Sequence, residues 1–209
     1  MFITFEGPEG SGKTTQIVQL AQWLQQRGHR VVQTREPGGT LIGDQIRTIL
    51  MDRANTSLVA EAEILLFSAS RAQLVRRLIE PALAEGAVVL CDRFYDSTLA
   101  YQGYGRGLDI GMLREITDFA TGGRRPDLTF LLDLDPELGL RRRQAGRSMG
   151  EEWNRLDAQT LAFHQRVRQG YLELAQQESR WRVVDGTEPS EAVQAALRQL
   201  IAKRLDTDS

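Results

Sequence analysis

The chain has 209 residues, 41% hydrophobic and 26% charged, with a net charge of −2. This is the composition of an ordinary soluble domain with one sizeable core. It argues against a disordered chain and gives no support for a nucleic-acid-binding surface. No apolar run approaches the roughly 20 residues of a membrane span, and a single cysteine excludes an internal disulfide.

The first strand is expected at about residues 2–6, where Phe2-Ile3-Thr4-Phe5 is a short β-prone run. It follows Met1 directly, so no signal peptide is expected. Residues 7–14 then read Gly-Pro-Glu-Gly-Ser-Gly-Lys-Thr, which is G-x-x-x-x-G-K-T, the Walker A phosphate loop. Beyond it, Ile17, Leu20, Ala21 and Leu24 have helical spacing, so a helix is read over about 14–27. A strand before the loop and a helix after it are the context that turns the pattern into a site. Gly7, Gly10 and Gly12 free the backbone to wrap an anion. The N–H groups of the loop and of the new helix, from Pro8, Glu9 and Ser11 to Thr15, surround the phosphates. Lys13 reaches the β- and γ-phosphates and is expected to face open space until ATP arrives. Thr14 offers its hydroxyl to Mg²⁺.

Further strands are expected at about 30–34, 88–91, 128–133 and 181–184, each a short apolar or β-branched run of the kind buried on both faces. Helices fit about 41–51, 58–85, 109–121, 136–145, 153–178 and 189–204. Gly28 and Gly86 suit helix C-termini, and Pro136 and Pro189 suit helix starts. Cys91 lies in Val88-Val89-Leu90-Cys91 and reads as a buried small hydrophobe. With two histidines besides, no zinc site is expected. Only Asp206 to Ser209 reads as unstructured. Strict strand–helix alternation implies a three-layer α/β sandwich with a five-stranded parallel sheet, one domain over 1–209, and ligands at the C-terminal edge of the sheet.

Three strand ends carry charge to that edge: Glu9, the run Thr34-Arg35-Glu36-Pro37-Gly38-Gly39-Thr40, and Asp92-Arg93. No Asn-Lys-x-Asp guanine signature occurs. Arginine is plentiful instead: Arg35, Arg71, Arg93, Arg141, Arg142, Arg143 and Arg147. Guanidinium forks match phosphate oxygens. Two phosphorylated substrates brought together need such neutralisation before they react.

The run at 34–40, Leu66-Phe67-Ser68-Ala69-Ser70-Arg71-Ala72-Gln73, Asp92-Arg93-Phe94-Tyr95-Asp96-Ser97-Thr98, Tyr101-Gln102-Gly103 and Arg125-Pro126-Asp127-Leu128-Thr129 together resemble bacterial thymidylate kinase, in family order from residue 2 to about 200. The resemblance implies the P-loop nucleoside monophosphate kinase architecture and transfer of the ATP γ-phosphoryl group to deoxythymidine monophosphate. By this likeness Arg93 bridges the acceptor phosphate and the transferring group, Asp92 holds Mg²⁺ through water, and Arg35 clamps the acceptor phosphate beside Glu36. Phe67 and Arg71, one turn apart, become the stacking platform and the donor to a thymine carbonyl. Ser97 and Thr98 become base-edge contacts, and Gln102 a further substrate-binding residue. Tyr101 crowds the sugar 2′ position and Glu9 receives the 3′-hydroxyl. A cis Glu36–Pro37 bond, a homodimer built by helix packing, and a cytoplasmic location also follow from the likeness.

Residues 136–157 read as a lid over ATP, its mobile part flanked by glycines. Some relatives carry an arginine inside the phosphate loop; here that position is Gly10, so the lid must supply it. Arg147 is the first choice and Arg142 the second, while Arg141 reads as a solvated helix face. The alternatives are another nucleoside monophosphate kinase, a deoxynucleoside kinase, or a non-enzymatic ATP-binding module.

Overall fold

The computed structural model describes residues 1–146 and 153–207. Five strands, β1 (Phe2–Glu6), β2 (Val31–Arg35), β3 (Val88–Asp92), β4 (Leu128–Asp133) and β5 (Trp181–Asp185), form one parallel sheet in the order β2-β3-β1-β4-β5. Each lies within a residue or so of its expected place. β1 is central and wholly buried, and its one interior hydroxyl, Thr4, is matched by Thr129 on β4 at 2.8 Å.

The helices are α1 (Lys13–Gln25), α2 (Leu41–Met51), α3 (Ala60–Leu74), α4 (Tyr95–Thr98), α5 (Ile110–Thr121), α6 (Pro136–Gly146), α7 (Leu161–Gln177) and α8 (Ser190–Thr207). Alternate strand residues enter two separate cores. Ile3, Phe5, Val88, Leu90, Phe130 and Leu132 pack under α1 and α8 through Ile17, Leu20, Leu24, Val193, Leu197 and Ile201. Phe2, Val89, Cys91 and Leu131 pack under α3, α4 and α7. This is the expected three-layer sandwich. Burying each large apolar side chain contributes about 1.5–3 kcal/mol.

Four expectations need correction. The long helix at 58–85 starts at Ala60 and passes through a wider π turn, Val75–Ile79, into Glu80–Ala84. A helix not expected at all follows β3: α4 continues as a π turn over Leu99–Gly105. It is buried on nearly every side, so it shows no amphipathic period. It packs on α7 through two glycines. A Cβ on Gly105 would meet the Phe163 ring and one on Gly170 the Tyr104 ring. The helix expected from 153 begins at Leu161, where Thr160 caps it. Before that, Asn154 Oδ1 accepts from the N–H of Leu156 and Asp157 and folds a turn. Finally, α8 continues through Thr207, so Asp206 and Thr207 are helical.

Register decides the site. Arg35 pairs with Asp92, and Asp92 with Phe5, so three strands end level with one another. The Glu36–Pro37 bond is cis.

Candidate active site

Gly7, Gly10 and Gly12 all have positive φ (135°, 69° and 90°), as a loop curled around an anion requires. Gly12 forms the N-cap of α1, and no side chain caps that helix. By contrast Thr40, Asp109 and Thr160 cap α2, α5 and α7. The first turn of α1, without a side-chain cap, has the geometry that the expected anion site calls for.

Lys13 differs from expectation. It is 7% exposed, and its Nζ donates to Gly7 O (3.0 Å), Pro8 O (2.9 Å) and Ser11 Oγ (3.3 Å). The loop's own carbonyls hold the ammonium because a buried charge without partners is too costly. Burial and Arg93 still lower its pKa to about 8. Thr14 Oγ1 donates to Asp92 Oδ2 at 2.8 Å. A hydroxyl and a carboxylate side by side at the phosphate loop fit Mg²⁺, which takes few protein ligands and keeps its waters.

One cleft of about 420 Å³ runs from the phosphate loop to α3 and α4. It is lined by Glu9 to Thr15, Arg35, Glu36, Phe67, Arg71, Asp92, Arg93, Ser97, Thr98, Tyr101, Gln102 and Arg142. Among the described site residues expected from sequence, only Gly7 and Pro8 are not on that lining. They lie behind it and hold Lys13 through their carbonyls.

Arg93 has φ 69°, an uncommon conformation for a side-chain-bearing residue. Its Nη2 donates to Glu9 Oε1 (3.0 Å), and Tyr101 donates to the same oxygen (2.5 Å). Its Nη1 donates to Tyr171 (3.0 Å) and Ser97 (3.3 Å). Burial works to raise the Glu9 pKa, but Arg93, His164 and Lys13 outweigh it and hold the carboxyl well below its usual range. His164 Nδ1 stands 3.5 Å from Glu9 Oε2. Glu9 is therefore an anion that ties the phosphate loop to β3 and α4.

Arg71 is 1% exposed. Its Nε donates to both Glu36 oxygens (3.1 and 2.8 Å) and its Nη2 to Thr98 (3.0 Å). Among the described residues its Nη1 has no partner. A buried guanidinium nitrogen left without a partner beside a cleft is a donor that a ligand could satisfy. Burial raises the Glu36 pKa against the pull of Arg71. Phe67, one turn away, both lines the cleft and belongs to the core under α3. Arg35 is half-exposed and paired with Asp44 at 3.2 Å.

Of the lid candidates, Arg142 lines the cleft and donates to Gly186 O at 3.0 Å. Arg141 is 69% exposed and paired with Glu137 one turn earlier, which suits a solvated face. Arg147 lies outside the described residues. Arg143, one of the arginines the sequence offered, also lines the cleft, while sequence reasoning passed over Arg47, which lines it, and Glu6, His164 and Tyr171, which support it. Cys91 is buried and its pKa raised by burial, so it is an inert core residue.

Among the described residues no helix is long and apolar enough to cross a membrane. The thymidylate kinase family profile matches residues 5–197. A thymidylate kinase of Roseiflexus sp. (strain RS-1) is 54% identical over 202 residues, covering 92% of this chain and 89% of that one. The one from Nitratidesulfovibrio vulgaris (strain DP4) is 53% identical, covering 98% and 93%. A crystal structure of thymidylate kinase from Ehrlichia chaffeensis superposes with a TM-score of 0.76 at 35% identity, over 96% of this chain and 98% of that one. Motif order, sheet topology, cleft and relatives agree, and the chain belongs to the thymidylate kinase family.

Proposed function

We propose that the cleft transfers the γ-phosphoryl group of ATP to deoxythymidine monophosphate, forming the diphosphate for deoxythymidine triphosphate synthesis. The observation that carries this reading is a continuous cleft joining the phosphate loop to a buried, half-partnered arginine. Lys13 and Arg71 both line it. The acceptor is a phosphate oxygen, already anionic, so no general base is needed. Catalysis is positioning plus charge neutralisation.

The loop from Gly7 to Thr15 holds ATP. Thr14 directly, and Asp92 through water, would hold Mg²⁺, which offsets charge on the donor phosphates. Arg93 bridges the acceptor phosphate and the transferring group, and Arg35 clamps the acceptor from the exposed side. Phe67 stacks on the base while Arg71 Nη1 donates to a carbonyl on it. Thr98 and Gln102 lie along the same wall, beside Glu36. Tyr101 and Glu9 face the sugar, where a 2′-hydroxyl has little room and a 3′-hydroxyl finds a carboxylate.

A homodimer fits this surface. Leu65 on α3 and Phe119 on α5 are exposed apolar residues on adjoining helices. Light scattering on eluted protein reads the mass. A cytoplasmic location suits an enzyme of nucleotide supply.

The test is a screen of nucleoside monophosphates with ATP and Mg²⁺, with products resolved by ³¹P NMR. Diphosphate formation from deoxythymidine monophosphate well above all others is expected. Turnover of thymidine itself, or of a purine nucleotide instead, would overturn the assignment.

A further inference from the structure

The last residue of the central strand, Glu6, is 0% exposed and is not on the cleft lining. A carboxylate this deep needs partners, and it has three. It accepts from the Phe94 N–H at 2.8 Å, from Ser97 Oγ at 2.6 Å and from Tyr171 OH at 2.8 Å. The same two hydroxyls accept from Arg93 Nη1. Ser97 Oγ and Tyr171 OH also lie 2.8 Å from each other, with either able to donate. The two hydroxyls thus take hydrogen bonds from the guanidinium and share their two protons between each other and Glu6 Oε2.

Glu6 also governs the backbone. Arg93 sits at φ 69°, with its N–H on Phe5 O (2.9 Å) and its carbonyl taking the Cys91 thiol proton (2.9 Å). The next N–H, that of Phe94, is the one bound by Glu6. A non-glycine residue in this conformation persists only where its surroundings hold it. One buried carboxylate thus fixes both the turn that carries Arg93 and the hydroxyl shelf under its guanidinium. On the opposite side, Glu9 holds the other arm and is itself held by a hydrogen bond from Tyr101.

We propose that Glu6 is the positioning residue for Arg93 in phosphoryl transfer, acting through Ser97 and Tyr171. This rests on the reading of Arg93 as the bridging cation. Glu6 touches neither substrate; it sets where the guanidinium stands when the γ-phosphoryl group moves. Burial and the neighbouring Asp96 push its pKa up to about 7, against the pull of Arg93, Ser97 and Tyr171. The carboxylate form is the one that accepts from the Phe94 N–H and the hydroxyl pair together.

The experiment compares Glu6→Gln, Tyr171→Phe and their double variant by single-turnover transfer and by KM for both substrates, with Arg93→Ala alongside. Glutamine keeps the shape and its oxygen can still accept from Phe94, but the NH₂ then facing the hydroxyls cannot accept from them. The rate is expected to fall on the order of 10-fold to 100-fold, the effect of an ångström-scale misplacement, with KM for ATP within about twofold. The double variant is expected to be no slower than the worse single one, because both break one relay. If Glu6→Gln lowers the melting temperature but leaves the rate within about twofold of wild type, Glu6 is a core residue only. Rate losses that multiply in the double variant also overturn the relay. If Glu6→Gln fails to fold, Tyr171→Phe decides alone by the same rate criterion. If Arg93→Ala keeps its rate, the reading of Arg93 fails, which separates that outcome from a failure of Glu6.

Discussion

Gly10 and Gly139 meet backbone to backbone. A Cβ on Gly10 would collide with the Gly139 carbonyl oxygen, and a Cβ on Gly139 would collide with that of Glu9. The phosphate loop is therefore seated directly on α6, the helix that opens the segment expected from sequence to be a lid. Position 10 has no room for a side chain, whatever its charge. An arginine here is excluded by packing, and any arginine that meets the γ-phosphoryl group must approach from elsewhere.

Gly139→Ala follows directly. The extra methyl must push α6 off the loop, at a cost of about 1–3 kcal/mol for a close-packed contact. Thermal unfolding should show a lower midpoint, and the KM for ATP should rise more than that for deoxythymidine monophosphate. An unchanged midpoint and KM would mean that α6 yields freely.

Lys13 gives a pH signature. Its pKa is about 8 in the folded chain, against an ordinary 10.5. Between those values the folded protein binds fewer protons than the unfolded chain, so this group's contribution to stability rises with pH across that window. ATP phosphates favour the charged ammonium and pull the pKa back up. Binding ATP at about pH 9 should take up close to one proton, and at about pH 7 almost none from this group. Calorimetry in buffers of different ionisation enthalpy measures the uptake. No difference between the two pH values would mean that Lys13 stays charged throughout. Lys13→Ala should abolish transfer.

Arg71→Ala alone is a poor probe, because it strands Glu36, which is buried beside it. Breaking a buried pair costs about 3–5 kcal/mol. The double change Arg71→Ala with Glu36→Gln removes both charges. It is expected to weaken acceptor binding by about 1–3 kcal/mol, one charge-assisted hydrogen bond, and to leave ATP affinity alone. Calorimetric titration with each nucleotide separates the two. A fall in ATP affinity instead would exchange the two ends of the cleft.

The strands were legible because each is a short apolar run between turn residues, and the phosphate loop because its spacing is dictated by an anion. Phe67 and Arg71 were legible as a pair because helical spacing places them on one face. Glu6 was not. In sequence it is a carboxylate before a glycine, and only the return of α7 across the sheet brings Tyr171 to it. The same holds for Glu63, buried on α3, which accepts from Gln102, Arg106 and Arg155 (2.8, 2.9 and 2.5 Å). Those partners are 39 to 92 residues away, and no local period records them. Helix α4 escaped for a related reason: buried all round, it has no polar face to set a rhythm.

The lid arginines should separate by chemistry and not by binding. Arg141 points outward and is paired with Glu137, so Arg141→Ala should stay within about twofold of wild type, as surface pairs of this kind contribute little. Arg142 lines the cleft and donates to the Gly186 carbonyl, a contact it can exchange for a phosphate oxygen. Its loss should slow transfer. Arg147 lies beyond the described residues, and its place in the chain, after α6 and between Gly146 and Gly150, suits a residue that arrives on closure. A cation that reaches the phosphoryl oxygens only then acts in the transition state, so its removal lowers kcat and leaves KM nearly unchanged. Supplied arginines in related transfers are worth on the order of 10³-fold or more. Arg147→Ala is therefore expected to be the slowest of the three in single-turnover transfer, with Arg142→Ala between it and Arg141→Ala. Equal small losses in all three would reduce the basic run to a solvated helix face. The whole charge on the transferring group would then fall to Lys13, Arg93 and the bound cation.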